Sequence, residues 1–507
     1  MNHYFLRWIW ITIFTFFFIP IDSLVAQEVL NGSEDHSTSL SSDFHQLYIV
    51  FAGPYPASPS SSFGHLFLLT EPSNSDNLQM WDAINFAADV QDESGASSLY
   101  NGLIGNLEGN FEILPFYKMI QDYSYSESRD LWLFPIHLES HEKQRFTDYI
   151  NHTGGKARQY RFSDKNCASR VSEALHYVFN QEYSSKLLVL PQQVLNDDVI
   201  AQRLSEPLWI ENVESQMLTI YTELDNAMSF NSAPDSLSNT ERVKFLKTYE
   251  WLYNNTATTI DNNKRKFIEE LRFKVSQSSS DYDFTHLNTR DFTIHHPGRF
   301  GASYGYNQFG NNYVNLDIRL GLHDFNDVSV TYPKFDYINV FSLSMLFSDR
   351  AIVEEFWVFN QESRQPVNHF NTSPSWSLGF GGQRYFLNDI DSFAMGIFTG
   401  IGRSYSIFDD QWNFSLLLNA NPVYITDDSF SIIIEPKLEQ RIFFTDTFKL
   451  AFGISNPVYL KSNELLNIHL DSSLVLNLNN NVSLTTDFKM WKNMVSIESG
   501  IKVNFPY

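Results

Sequence analysis

The chain has a single cysteine, Cys167, in the stretch SDKNCASR. A lone thiol in a chain that reads as exported cannot close an internal disulfide and is a candidate nucleophile. Its neighbours suit that part. Ser163, Asp164 and Asn166 are all good helix caps, and Val171, Ala174, Leu175 and Val178 follow at helical spacing, so Cys167 falls in a first helical turn. There the positive end of the helix dipole favours the thiolate. The free N–H groups of the same turn face whatever the sulfur attacks and offer an oxyanion site. The plainer alternative is a small buried apolar residue.

A thiolate nucleophile needs a base, normally a histidine. His176 lies nine residues along the same helix, on its opposite face at about 100° per residue, and is excluded. His65, in the strand-like FGHLFLLT, follows Gly64, whose missing side chain lets another backbone approach. On periodicity alone a strand histidine is more often a satisfied core or surface residue. A third group would orient the imidazole: Asp82 and Asn85 lie on the next strand but on opposite faces, so only one of them can reach it.

The elements that must hold these residues read as α+β. LYIVFAG is a buried strand, FGHLFLLT and LQMWDAINFAA form a hairpin-like pair, LPFYKMIQDYS looks helical, RDLWLFPIHL is a strand and SHEKQRFTDYINHT a helix. Residues 206–285 read as a helical connector or as an extension of the first domain's core, with Ser238 and Glu241 at capping-box spacing ahead of Val243, Leu246, Tyr249 and Tyr253. From about residue 290 the period becomes two. In YVNLDIRLGLH, Val314, Leu316, Ile318, Leu320 and Leu322 share one face, and Asn315, Asp317, Arg319 and His323 the other. Roughly twelve such segments over residues 286–507 give the signature of an antiparallel transmembrane β-barrel, although a soluble sandwich alternates too. Aromatic crowding at segment ends and the aromatic Tyr507 favour the barrel; Pro436, inside IIIEPKL, opposes it.

The 507 residues suit two to four units. Residues 1–26, with Arg7 ahead of WIWITIFTFFFIP and a small residue at Ala26, read as a secretory signal, which leaves 27–205 as the α+β domain. The net charge of −24 and the lack of a basic run argue against nucleic acid as a partner. No HExxH and no phosphate-binding glycine loop occurs, and His295 and His296 have no ligand at helical spacing, so neither metal nor other cofactor is expected.

The stretches SSFGHLFLL, WDAINFAA, GNFEILPFYKMIQDYSYSESRDLWLFPIHL and YRFSDKNCASRVSEAL, in that order over residues 45–200, resemble the Lnb N-terminal periplasmic domain family. The resemblance implies a permuted papain-like α+β fold of the NlpC type, with Cys167 as nucleophile and His65 as its base. Asn85 lies in the matching INFAA and is favoured as the orienting group, with Asp82 still open. Glu127, Arg129 and Asp130 belong to the family signature ESRD, and a structural ion-pair cluster is the plainer reading of them. The implied activity is thiol-dependent acyl transfer between a membrane lipid or lipoprotein ester and an amino group, by a periplasmic domain held at the outer membrane. A peptidase acting on cell-wall peptides and a non-enzymatic barrel with a binding module are the alternatives.

Overall fold

The computed structural model describes residues 39–506 apart from 56–62, 75–76, 90–100, 103, 187, 230–236, 256–261, 276–282, 308–310, 329–330, 369–370, 388–389, 409, 426–429, 461–463, 466–467 and 492–493. The expected signal segment and Tyr507 lie outside these residues.

An antiparallel sheet organises the amino-terminal part. Its strands are β1 (Phe44–Ala52), β2 (His65–Pro72), β3 (Asp82–Ala88), β4 (Leu107–Pro115), β5 (Leu131–Ile136), β6 (Arg158–Tyr160), β7 (Leu208–Ile210) and β8 (Asn288–Thr289), in the order β6-β4-β3-β2-β1-β5-β7-β8. Side-chain alternation gives the central strands two apolar faces. Ile49, Leu66, Leu68, Ile84 and Phe86 pack under α2 (Ser140–Thr153) and α3 (Cys167–Val178), while Val50, Phe67, Leu69 and Ala83 pack against α1 (Phe116–Met119). Both faces are covered, so β1 and β2 read as nearly continuous apolar runs.

Two expectations need correction. Only Phe116–Met119 of LPFYKMIQDYS is α-helical: Leu114 and Pro115 finish β4, and Ile120–Ser126 is wound as a π-helix, a form that often marks functional segments. Residues 206–285 are not purely helical either. β7 leaves that stretch to pair with β5, and β8 follows on its edge, before and after α6 (Val213–Ser229), α7 (Asn239–Asn255) and α8 (Asn262–Val275). Three residues are too short a run for the apolar period to expose. The capping box at Ser238 and Glu241 is present.

Beyond β8, twelve antiparallel strands close into a barrel: β9 (Gly298–Asn307), β10 (Asn312–His323), β11 (Asp336–Phe347), β12 (Ala351–Ser363), β13 (Ser375–Leu387), β14 (Ile390–Ile407), β15 (Trp412–Ile425), β16 (Phe430–Phe443), β17 (Phe448–Ser455), β20 (His469–Asn479), β21 (Val482–Trp491) and β22 (Met494–Phe505). The short β18 (Val458–Tyr459) and β19 (Glu464–Leu465) extend one loop; β9 pairs with β22 and β15 with β16, so the wall has no open seam. Val314, Ile318, Leu320, Leu416, Leu418, Ile497 and Ile501 face outward, whereas Asn315, Arg319, Ser415, Arg441, Lys449 and Asn504 are buried. A closed wall with an apolar exterior satisfies its backbone internally and is built to cross a bilayer. Pro436 sits in β16 where that strand's partner changes from β17 to β18, so its missing N–H falls at a break in the ladder. Leu322 departs from its outward series: it is fully buried, with Leu190 of the first domain, Tyr332 and Ile338.

That cluster is part of a tight seam between the two parts. Phe63 also packs on it, and Phe292 of the linker stacks edge-on against Trp132 and Phe134, with centroids 5.0 and 4.8 Å apart. The β1 end at Gly53-Pro54 and the segment before His65 therefore abut the barrel mouth.

Candidate functional site

Helix α3 starts at Cys167 for a local reason. Asn166 is its N-cap: Oδ1 accepts from the Ser169 N–H at 3.0 Å, and Ser169 Oγ accepts the Asn166 N–H at 2.9 Å. The Asn166 amide donates to the Phe162 and Val189 carbonyls at 2.8 and 2.9 Å, which anchors the turn to two loops. Ala168, Val171, Leu175 and Val178 then bury one face of α3 against the sheet. The sulfur is consequently fixed at the head of the helix, only 6% exposed.

His65 is the first residue of β2. Gly64 before it has φ +86°, and a Cβ there would stand 2.5 Å from Phe51 Cε2 and 3.0 Å from the Ala52 carbonyl, so the sharp entry into the strand requires glycine. The turn brings the imidazole into hydrogen-bond contact with the Cys167 thiol. On its other side Nε2 lies 2.7 Å from Asn85 Oδ1. Register explains that choice. β2 and β3 pair Leu68 with Ile84 and Thr70 with Asp82, so Asn85 falls beside Phe67, one step along the face that His65 occupies. Asp82 falls opposite Thr70, on the other face and farther along, and does not reach the ring.

With Asn85 accepting, Nε2 carries the proton and Nδ1 presents a lone pair to the sulfur. Burial alone would push the thiol up. The His65 charge, its hydrogen bond and the N–H groups of Leu66 and Ala168 outweigh that and hold Cys167 below the ordinary thiol range. Burial would likewise lower the imidazole, but the Cys167 charge, the thiol hydrogen bond and Asn85 leave His65 raised. The pair is thus disposed toward thiolate and imidazolium, with two backbone donors already turned to the sulfur.

A support for the imidazole that sequence reasoning did not find comes from the π-helical segment. The Tyr123 ring lies 5.6 Å from His65 and 5.9 Å from Phe67, and the Arg129 guanidinium sits 4.6 Å over Tyr123. Arg129, buried, donates to the Gly53 and Ala52 carbonyls at 2.5 and 3.0 Å and pairs with Glu127 at 2.6 Å. Asp130 Oδ1 accepts from the Asn212 backbone and side chain at 2.9 and 2.7 Å, tying the sheet to the start of α6. The ESRD residues are therefore an ion-pair and hydrogen-bond brace, and Arg129 connects that brace to the tyrosine ring tilted against His65. Nothing in the spacing of Tyr123 marked it. His176 bonds back to its own helix at the Ser172 carbonyl, 2.9 Å away, and stands 3.6 Å from Asp197, apart from the site. A cavity of about 630 Å³ lies inside the barrel, away from Cys167, lined by Glu354, Glu435, Arg384, Lys437 and Lys489 among others.

Residues 34–197 match the family model of the Lnb N-terminal periplasmic domain, and residues 288–505 match that of a domain of unknown function, DUF7840. No curated protein matches the chain. Among solved structures, the barrel is similar to the KdgM porin (10% identity, TM-score 0.26, 41% of this chain and 99% of that one) and to the NanC porin (10%, 0.27, 41% and 100%). It is also similar to the outer membrane protein Omp33 of Acinetobacter baumannii (8%, 0.24, 42% and 100%). Residues 34–197 thus match the Lnb N-terminal periplasmic domain family, and the chain joins that stretch to a closed 12-strand antiparallel barrel.

Proposed function

We propose that this protein is a cysteine acyltransferase whose periplasmic domain works at the inner face of the outer membrane. The observation that carries the reading is the chain Cys167–His65–Asn85, a thiol, an imidazole and a carboxamide in hydrogen-bonded series at a helix start. His65 Nδ1 takes the thiol proton, and the Cys167 thiolate attacks the carbonyl carbon of an ester. The resulting oxyanion is met by backbone N–H groups of the first turn of α3, Ala168 among them. Collapse breaks the C–O bond, the alcohol leaves with the proton from His65, and a thioester remains on Cys167. An amine then attacks the thioester, its proton passes to His65, and the amide leaves as the thiolate re-forms.

The docked geometry favours a lipid ester as donor. Phe63, two residues before His65, packs at the barrel mouth, and an apolar outer wall would hold that mouth near the membrane boundary, where ester groups lie. The test is to present the full chain in phospholipid vesicles with an amine-bearing lipopeptide. Release of lysophospholipid together with N-acylated peptide, both lost in Cys167→Ala, is the expected result. Lysophospholipid and free fatty acid without acylated peptide would make the enzyme a hydrolase, and turnover of muropeptides in place of lipid would replace this reading altogether.

A further inference from the structure

We propose that His295, His323 and Asp327 form a binding site for a transition-metal dication of the zinc class, riveting the linker between the domains to the barrel mouth. His295 belongs to the linker, His323 ends β10, and Asp327 lies in the loop that follows. All three are buried. His295 Nε2 stands 2.9 Å from His323 Nδ1, and each of these nitrogens is 3.8 Å from Asp327 Oδ2. An ion centred among three atoms so spaced would lie about 2.1 Å from each, within the range of zinc bonds to imidazole nitrogen and carboxylate oxygen.

The surroundings are those of a metal site. His295 Nδ1 donates to the His296 carbonyl at 2.8 Å, which fixes the tautomer that leaves Nε2 bare toward the centre. Asp327 Oδ2 is itself held by the Asp324 N–H at 2.8 Å and by Arg319 Nη1 at 2.7 Å, the outer support that ligating carboxylates receive. Tyr332 stacks on both imidazoles, with centroids 4.9 and 4.5 Å away, and walls the centre from water. Without an ion, His323 Nδ1 must donate to His295 Nε2, whereas an ion would take a lone pair from each of the two nitrogens.

The donor set also selects the ion. Arg299 and Arg319 already pair with Asp317, Asp324 and Asp327, and the Lys449 ammonium donates to the Phe325 and Asp327 carbonyls beside them, so an ion gains from its ligand bonds rather than from a negative field. Two imidazoles and one carboxylate suit zinc or cobalt, whereas calcium and magnesium require a cage of about six or more oxygens.

The experiment uses the full chain in detergent carrying Cys167→Ala, so that the thiol and His65 cannot compete for metal. After stripping with a chelator, we expect one equivalent of cobalt to bind with the visible bands of a low-coordinate site. We expect His323→Gln and Asp327→Asn each to weaken binding at least tenfold, and His296→Ala to bind as the parent does. Zinc, but not magnesium, should raise the thermal unfolding midpoint of the parent, a readout that needs no ligand variant to fold. Absence of both cobalt bands and a zinc-specific shift would overturn the proposal, as would unchanged binding in folded His323→Gln.

Discussion

His65 Nε2 and Asn85 Oδ1 lie 2.7 Å apart, joined across two neighbouring strands by register alone. That bond sets which imidazole nitrogen faces the sulfur. Asn85→Ala should therefore free the ring to turn or change tautomer and lower turnover by about 10²-fold, the penalty of a misplaced base. Asn85→Asp keeps the acceptor but adds a charge beside the ring, which holds the His65 proton more tightly. Its activity should persist to higher pH than that of the parent, in a profile of rate against pH.

The lowered thiol and raised imidazole favour the charged pair over the neutral one. Thiolate forms as pH rises through a Cys167 value lower than usual, and imidazolium is lost as pH rises through a His65 value higher than usual. Alkylation of Cys167 by iodoacetamide should accordingly begin below the ordinary thiol range of about 8.5. In His65→Ala, the loss of the positive partner leaves burial opposed only by the Leu66 and Ala168 N–H groups, and the alkylation midpoint should move upward. A midpoint unchanged by that substitution would contradict the ion pair.

Gly64 permits the entry into β2 that aims His65. Gly64→Ala places a side chain on a left-handed backbone and into Phe51 and the Ala52 carbonyl. The expected cost is about 1–3 kcal/mol of stability, read as a lower unfolding midpoint of the periplasmic domain, with activity falling further than stability alone accounts for.

The brace at Arg129 makes a separate prediction. Arg129→Met leaves Glu127 and two strand-end carbonyls without their donor and removes the cation over Tyr123, so both stability and turnover should fall. Arg129→Lys should not restore turnover, because one ammonium cannot span three acceptors and stack as a planar fork does. Tyr123→Phe keeps the ring and should retain most activity, whereas Tyr123→Ala should lower kcat and shift the alkylation profile of Cys167.

Much of this was legible in the sequence where a period or a cap speaks locally. The cap at Asn166, the apolar face from Val171 to Val178 and the twelve alternating segments each state their structure within a few residues. What stayed hidden depends on register and on approach between distant parts. Asn85 and Asp82 lie on opposite faces by period, and which of them meets the ring is decided only once β2 and β3 are paired. Tyr123 reaches His65 through a π-helical winding that no spacing announces, and β7 is too short to interrupt a helical pattern. His295 and His323 have no motif spacing because a barrel strand and a linker, not one helix, bring them together. Leu322 belongs to the outward series by period, yet the first domain covers it.

The most direct measurement is the covalent state of Cys167 itself. The full chain, reconstituted in vesicles of a single diacyl phospholipid and quenched in acid, should carry one fatty acyl group on the Cys167 peptide by mass spectrometry. The adduct should be removed by neutral hydroxylamine, as a thioester is, and be nearly absent in His65→Ala. An unmodified Cys167 after prolonged incubation, in protein whose thiol still alkylates readily, would contradict the account.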